Sequence, residues 1–347
     1  MKSFRSQILT CVILIMALLP GIANAQRGSY AHVSARSGHG MVIKNDGTLW
    51  AFGQNDNGQL GDGSIIDSNT PIKVLSNVAS VACGNNYTMA VLKDGTLYAW
   101  GANYSGQLGD GTETANYTPV KVLSNVKSVA CGAATTMALL NDGSLYAWGW
   151  NSYGQVGNSN RIDCHKPVQV LSGVKSVACG DEYAMAINED GTLYGSGCNI
   201  NGQLGDGYTR SWTMFVPILY NVKSVACGGH HTMAILYDGT LYAWGDNSYG
   251  QLGDGSKVDR YRPNSILSNV KSVTCGYQYT MAILNDGSLY GWGRNDKGQL
   301  GDGTRIDRHR PVKIDDNVRE VACGAWFSIY ITEDGDFKTV GEIFEEE

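Results

Sequence analysis

Short apolar runs, separated by polar and glycine-rich turns, fill the chain beyond its first thirty or so residues. The stretch from Val126 to Val174 shows the pattern. Val126–Cys131 is apolar-rich and stops at Gly132, which predicts a first strand, A. Thr136–Leu140 predicts strand B, and Asn141-Asp142-Gly143 then gives a hairpin signal, because Asx and Gly tolerate positive φ. Ser144–Trp148 predicts strand C. A glycine-rich loop leads to Pro167–Leu171, strand D, with Pro at its first position, where a missing N–H is tolerated. Strands B and C are nearly continuous in apolar residues, which predicts sheets covered on both faces. No stretch carries a convincing helical period.

The same unit recurs. Asp-Gly pairs begin at Asp46, Asp94, Asp142, Asp190, Asp238, Asp286 and Asp334, each 48 residues from the last. Cys-Gly pairs from Cys83 to Cys323 keep that spacing, and Gly58-Gln-Leu-Gly-Asp-Gly63 returns from 106, 202, 250 and 298. Seven copies of a unit of about four antiparallel strands predict an all-β, seven-bladed β-propeller. A linear β-solenoid is the competing architecture, although its repeats are usually shorter. Counted from Tyr30, seven full periods overrun the chain, so the last blade is expected to lack its outer strand unless residues 26–29 and 342–344 patch it.

Composition agrees. Gly contributes 45 of 347 residues, nearly twice the ~7% of ordinary proteins, and Pro only 7. A net charge of −6 gives no global reason to bind nucleic acid. Lys2 and Arg5 precede an apolar run, Ile8–Leu19, then Pro20-Gly21 and Ala23-Asn24-Ala25. This is the layout of a signal peptide over residues 1–25 cleaved before Gln26, an uncleaved anchor being the alternative. Residues 26–347 are then one propeller, secreted, periplasmic or held at the cell surface, with no membrane span.

The unit Val-Ala-Cys-Gly, Met-Ala, Asp-Gly-Thr-Leu-Tyr-Ala-Trp-Gly, Gly-Gln-Leu-Gly-Asp-Gly resembles the regulator of chromosome condensation repeat, shared by alpha-tubulin suppressor-like proteins. The resemblance implies a seven-bladed propeller. It also brings two functional analogues: a nuclear exchange factor for the small GTPase Ran, and a secreted bacterial propeller that inhibits β-lactamases. Exchange in the first is associated with an inserted wedge, for which the unbroken 48-residue spacing leaves no room.

The candidate chemistry is sparse. Six of the cysteines hold equivalent places at the ends of A strands, which reads as packing between blades. Packed sheets stand ~10 Å apart, too far for disulfides that need Cα atoms within about 7 Å. Cys164 and Cys198 depart from the pattern and are candidates for one disulfide. His231 shares its column with His39, Tyr87, Tyr183, Tyr279 and Phe327, again packing. No metal, cofactor or catalytic set is expected. The Asn55–Gln59 loop lacks the distant Glu of a calcium loop.

Function is sought where the copies differ. A–B turns and C–D loops should share one face of the disc. That face varies, whereas the B–C turns are uniformly Asp-Gly. On it fall Tyr277, Trp326 and the acidic Asp181-Glu182, all in A–B turns. The C–D loops of four neighbouring blades add an arginine and aromatic arc: Arg161, His165 and Lys166, then Arg210 and Trp212, then Arg260, Tyr261 and Arg262, then Arg308, His309 and Arg310. Arg, Trp and Tyr are common interface anchors. Basic residues also guard outer strands against edge pairing. The expectation is a non-enzymatic, monomeric binding module that recognises a protein or an anionic polymer, and no nucleic-acid sequence, through this face. A GTPase regulator and an enzyme inhibitor are the alternatives.

Overall fold

The Asp-Gly signals do form hairpins. In the third blade Gly143 takes φ 83°, and the Asp142 carboxylate accepts the backbone N–H of Ser144 at 2.9 Å. The computed structural model describes residues 30–342. The signal-peptide segment, residues 26–29, and the last five residues lie outside them. Among the described residues, six four-stranded antiparallel sheets and one three-stranded sheet succeed one another along the chain. Each sheet is built in the order A-B-C-D from one uninterrupted stretch. The A strands of successive blades adjoin around an axis, and strand A of blade 7 meets strand A of blade 1. The expected seven-bladed propeller is the observed fold.

Blade 3 shows where the sequence reading needed adjustment. Its strands are Val126–Cys131, Thr135–Leu140, Leu145–Gly149 and Cys164–Leu171. Strand D begins three residues before Pro167, so the proline is its fourth residue. The ladder pairs Ala147 with Val168 and next Gly149 with Cys164, skipping the proline across an irregularity. An outer strand allows this because its N–H groups on one side face solvent.

Strands B are buried along nearly their whole length, so both faces of each sheet belong to the interior. Between blades the key is a tryptophan of strand C. Trp100, Trp148, Trp244 and Trp292 are fully buried. Their indole N–H groups donate to the carbonyls of Gln59, Gln107, Gln203 and Gln251 in the preceding blade at 2.8–2.9 Å. Blade 4 has Ser196 instead, whose hydroxyl donates to Gln155 at 3.2 Å. Phe215, where other D strands carry proline, packs over Gly157 and fills the space the indole would occupy.

The cysteines behave as small apolar groups. Cys131 and Cys179 each donate weakly to a carbonyl one blade back. Burial pushes the thiols of Cys83, Cys179 and Cys323 up to about 12. The candidate Cys164–Cys198 disulfide is not formed, and both are free thiols. Cys164 opens an outer strand and accepts from Asn158, while Cys198 is fully buried at the start of the next blade's loop. His39 and His231 are also packing groups. Burial pushes their imidazoles down to about 4, and each ring meets a threonine hydroxyl of the next blade.

Among the described residues no strand bridges blades 7 and 1. At this seam a column of serines is broken twice, by His32 and Glu320, which form a 2.5 Å ion pair. The Glu320 hydrogen bond, opposed by burial, raises His32 above its usual 6.5. The pair's contribution is therefore full below about pH 6.5 and fades as pH rises through the raised value. With nearly half of His32 exposed, it stays under about 1 kcal/mol. Thermal scans should show wild type losing more stability than His32→Ser between about pH 6 and about pH 8. Parallel curves would rule the contribution out.

Candidate functional site

The two faces divide as the spacing requires. C–D loops start by hydrogen bonding to the A–B turn beside them: Ala102 N–H to Asn86, Cys198 to Glu182, Asp246 to His230. The B–C turns bond instead to the D–A links, as Lys93 does to Asn77. Each C–D loop is held by one buried asparagine. Asn103 Nδ2 lies 3.0–3.1 Å from oxygens of Asp110, Thr112 and Thr114, and its Oδ1 accepts Leu108 N–H. Asn55 is used in the same way, as a donor into its own loop and not as a cation ligand. Among the described residues no three His, Cys, Asp or Glu side chains are placed to hold a metal ion.

Around the axis the A–B turns join into a ring. Ala133 N–H donates to Asp181, Asp181 to Gly229, Gly229 to Tyr277, and Ala325 to Ser37, each one blade onward, at 3.1–3.3 Å. The ring frames the mouth of an axial cavity of about 650 Å³. One wall is ionic. Arg36 reaches across from blade 1, its Nη2 2.6 Å from the Asp181 carboxylate and its Nη1 3.1 Å from the Cys131 carbonyl. Burial disfavours the Arg36 cation, but the Asp181 charge and hydrogen bond outweigh it, and its pKa is raised. Asp181 is thus a structural partner of Arg36 more than a free acidic patch. Sequence reasoning missed Arg36, although a signal was present. It stands where six blades have the glycine that follows cysteine.

The other wall is aromatic. Tyr277 lies between His230 and Trp326, with centroids 6.3 and 6.1 Å away in edge-on packing. Arg294 stacks over Trp326 at 4.3 Å and over Tyr249 at 4.9 Å. It is held there by two 2.8 Å bonds to Asp296 and one to Gln278. Tyr277 is 37% exposed. Its hydroxyl is pushed up by burial first and then by the carboxylates of Asp181, Glu182 and Asp246. Two of the expected residues, Tyr277 and Trp326, therefore meet at the mouth. They are joined by His230, one of the varied A–B turn residues, and by Arg294 and Tyr249, which the loop comparison did not single out.

The rim residues are not brought together in this way. Trp212, Arg260 and Arg308 are the first residues of three D strands. Each donates to the loop aspartate six residues earlier, Asp206, Asp254 or Asp302, at 2.7–2.8 Å. Two of the arc's positive charges are therefore neutralised inside their own loops. Tyr261 and His309 pack over Gly202 and Gly250 of the preceding blade. Arg262 and Arg310 remain exposed, lying over Gly207 and Gly255.

Three family models match the chain. Residues 17–220 match an RCC1-like domain. Residues 238–283 and 286–331 match the regulator of chromosome condensation (RCC1) repeat, and a second model of that repeat matches 222–251 and 270–299. No curated protein matches the chain. Among solved structures, human WBSCR16 superposes with a TM-score of 0.78 at 23% identity, covering 89% of this chain and 88% of that one. Yeast RCC1 (Prp20) bound to Kap60 gives 0.79 at 23%, covering 90% and 80%. Prp20p from Saccharomyces cerevisiae, described with its binding to Gsp1p and histones, gives 0.77 at 24%, covering 90% and 82%.

Proposed function

Because the chain belongs to the regulator of chromosome condensation repeat family, we propose that it is a non-enzymatic binding module whose partner is a protein. The reading places that partner on the A–B/C–D face, at the axial mouth. The carrying observation is the cluster His230, Tyr277, Trp326 and Arg294, which breaks the repeat on an otherwise uniform scaffold. Rigid aromatics beside an immobilised arginine are the side chains that dominate interface energetics, and here little ordering entropy remains to be lost on binding. The neutralised rim arginines weaken the case for an anionic polymer. The similar yeast protein has protein partners in its solved complex and described binding. The signal-like leader supports action outside the cytoplasm, secreted, periplasmic or at the cell surface.

The test is a capture comparison in the native extracellular milieu. Tyr277→Ala with Trp326→Ala should lose a protein that wild type retains, with affinity down at least about tenfold. Arg262→Glu with Arg310→Glu should retain it. The reverse result would move the site to the rim, and retention by both would refute this face. Nucleotide-release assays on small GTPases examine the regulator alternative. The repeat spacing stays unbroken and offers no wedge for exchange.

A further inference from the structure

Exposed apolar side chains are divided unevenly between the two faces. Among the described residues, Tyr220 and Tyr237 are the large ones exposed on the B–C side. The rest stand in the C–D loops, in the first residues of the D strands or in the A–B turns. Three of them hold one place in the repeat. Ile162, Val258 and Ile306 are the tips of the C–D loops of blades 3, 5 and 6, and each is 62–73% exposed.

The loop presents these side chains on a fixed backbone. Each tip carbonyl accepts from the buried asparagine of its loop: Ile162 from Asn151, Val258 from Asn247 and Ile306 from Asn295, at 3.0–3.2 Å. Each tip N–H donates to a side-chain oxygen two residues earlier, on Asn160, Ser256 or Thr304. The main chain is tied inward on both sides, and the aliphatic group is left in solvent.

A cation accompanies each tip. Arg161, Lys257 and Arg305 directly precede the three aliphatic residues and are exposed. Arg305 also meets Glu342 at 2.9 Å. Blade 4, between them, has Arg210 at the tip position and the exposed Tyr208 two residues before it. The acids of these loops are used inside them. Asp163, Asp259 and Asp307 accept the backbone N–H of the same three asparagines. Asp206, Asp254 and Asp302 hold Trp212, Arg260 and Arg308, which therefore take no part. Blades 1 and 2 depart from the pattern, with Ile65-Ile66 and Glu113-Thr114 at these two positions.

We propose that this arc of blades 3–6 is a docking surface for an anionic lipid bilayer. The tips are single aliphatic groups, each on its own loop. A protein interface draws on a contiguous packed centre, whereas a fluid lipid surface takes up spaced side chains one at a time. The aliphatic tips enter the boundary between headgroups and acyl chains. The stems of Arg161 and Lys257 lie along that boundary and carry their charges to the lipid phosphates. Tyr208 offers a ring to the apolar side and a hydroxyl to the wet one. Blades 1 and 2, which lack the cation and carry Glu113, sit farther from the charged surface. The disc is then tilted, and the axial mouth stays open to the protein partner.

The test is co-sedimentation of the full chain with vesicles of equal parts phosphatidylcholine and phosphatidylglycerol. Wild type should bind these at least about tenfold more strongly than vesicles of phosphatidylcholine alone, and the preference should vanish in ~1 M salt. Ile162→Thr, Val258→Thr and Ile306→Thr together should weaken binding at least about tenfold. Thr114 already occupies this position in blade 2, so the variant should keep the fold and an unchanged melting temperature. Arg161→Gln with Lys257→Gln should weaken binding to the anionic vesicles only. All variants share the apolar leader, so its contribution cancels. Absence of binding by wild type, equal binding to both kinds of vesicle, or equal binding by wild type and the threonine variant overturns the proposal. Loss of a captured protein by the threonine variant, with vesicle binding intact, also overturns it and assigns the tips to a protein interface. Tyr277→Ala and Trp326→Ala should leave vesicle binding unchanged, so this surface and the mouth stand or fall separately.

Discussion

Arg36→Met is expected to destabilise the protein by about 3–5 kcal/mol, the usual cost of stranding one partner of a buried ion pair. Both side chains of the Arg36–Asp181 pair are less than one-fifth exposed, so solvent screening removes little of this. The change leaves the Asp181 carboxylate facing the axial cavity without a cation. It also removes donors from the Cys131 and Cys179 carbonyls. Asp181→Ala added to Arg36→Met should recover most of the loss, since Ala133 and Ala325 occupy the equivalent turns. Denaturant unfolding of the two single variants and the double variant measures the coupling. Additive losses would show that the two residues do not act as a pair.

Trp148→Ala should cost about 3–5 kcal/mol, the range for emptying a large aromatic site in a core that cannot collapse. The indole is fully buried between blades 2 and 3 and packs against Gly109. The Gln107 carbonyl it satisfies keeps a second donor, the Thr136 hydroxyl at 2.8 Å. Most of the loss is therefore packing. Trp148→Phe should accordingly cost only about 1 kcal/mol, near the net value of one hydrogen bond. Blade 1 already carries Phe52 at this position. Equal losses for the alanine and phenylalanine variants would mean that the hydrogen bond, not the volume, holds the blades together.

Blade number, strand order and the division of the two faces were legible because they depend on spacing alone. The Asp-Gly turns and the apolar runs repeat without an insertion, and a propeller turns that period directly into geometry. The packing role of the cysteines and of His231 was legible for the same reason, through their columns. The functional face was legible only in outline. Arg260 and Arg308 looked like free charge. Whether an aspartate six residues upstream swings back to bind the first residue of strand D depends on the loop's path, which no pattern of residue types specifies. Arg36 was the converse case. One residue broke a glycine column, yet its partner lies 145 residues away and is found only when the ring closes. Phe215 shows a third kind of limit. Its departure from proline was visible, but its cause, the missing tryptophan at Ser196, lies on a different strand of the same sheet.

Among the described residues each blade is built from one continuous stretch, and no strand is shared across the seam. The architecture therefore behaves as a stack of interchangeable cassettes and not as a chain buckled to itself. Removing or duplicating one period would leave every remaining sheet with all its own strands. The angle at which tryptophan and loop wedge neighbouring blades apart, not any backbone link, would then decide how many fit around the axis. Such a gene can lengthen or shorten by recombination between its own copies and still encode foldable units. The near-identity of the scaffold turns, beside the divergence of the turns at the mouth, is the record expected of copies made by that route and later specialised on one face.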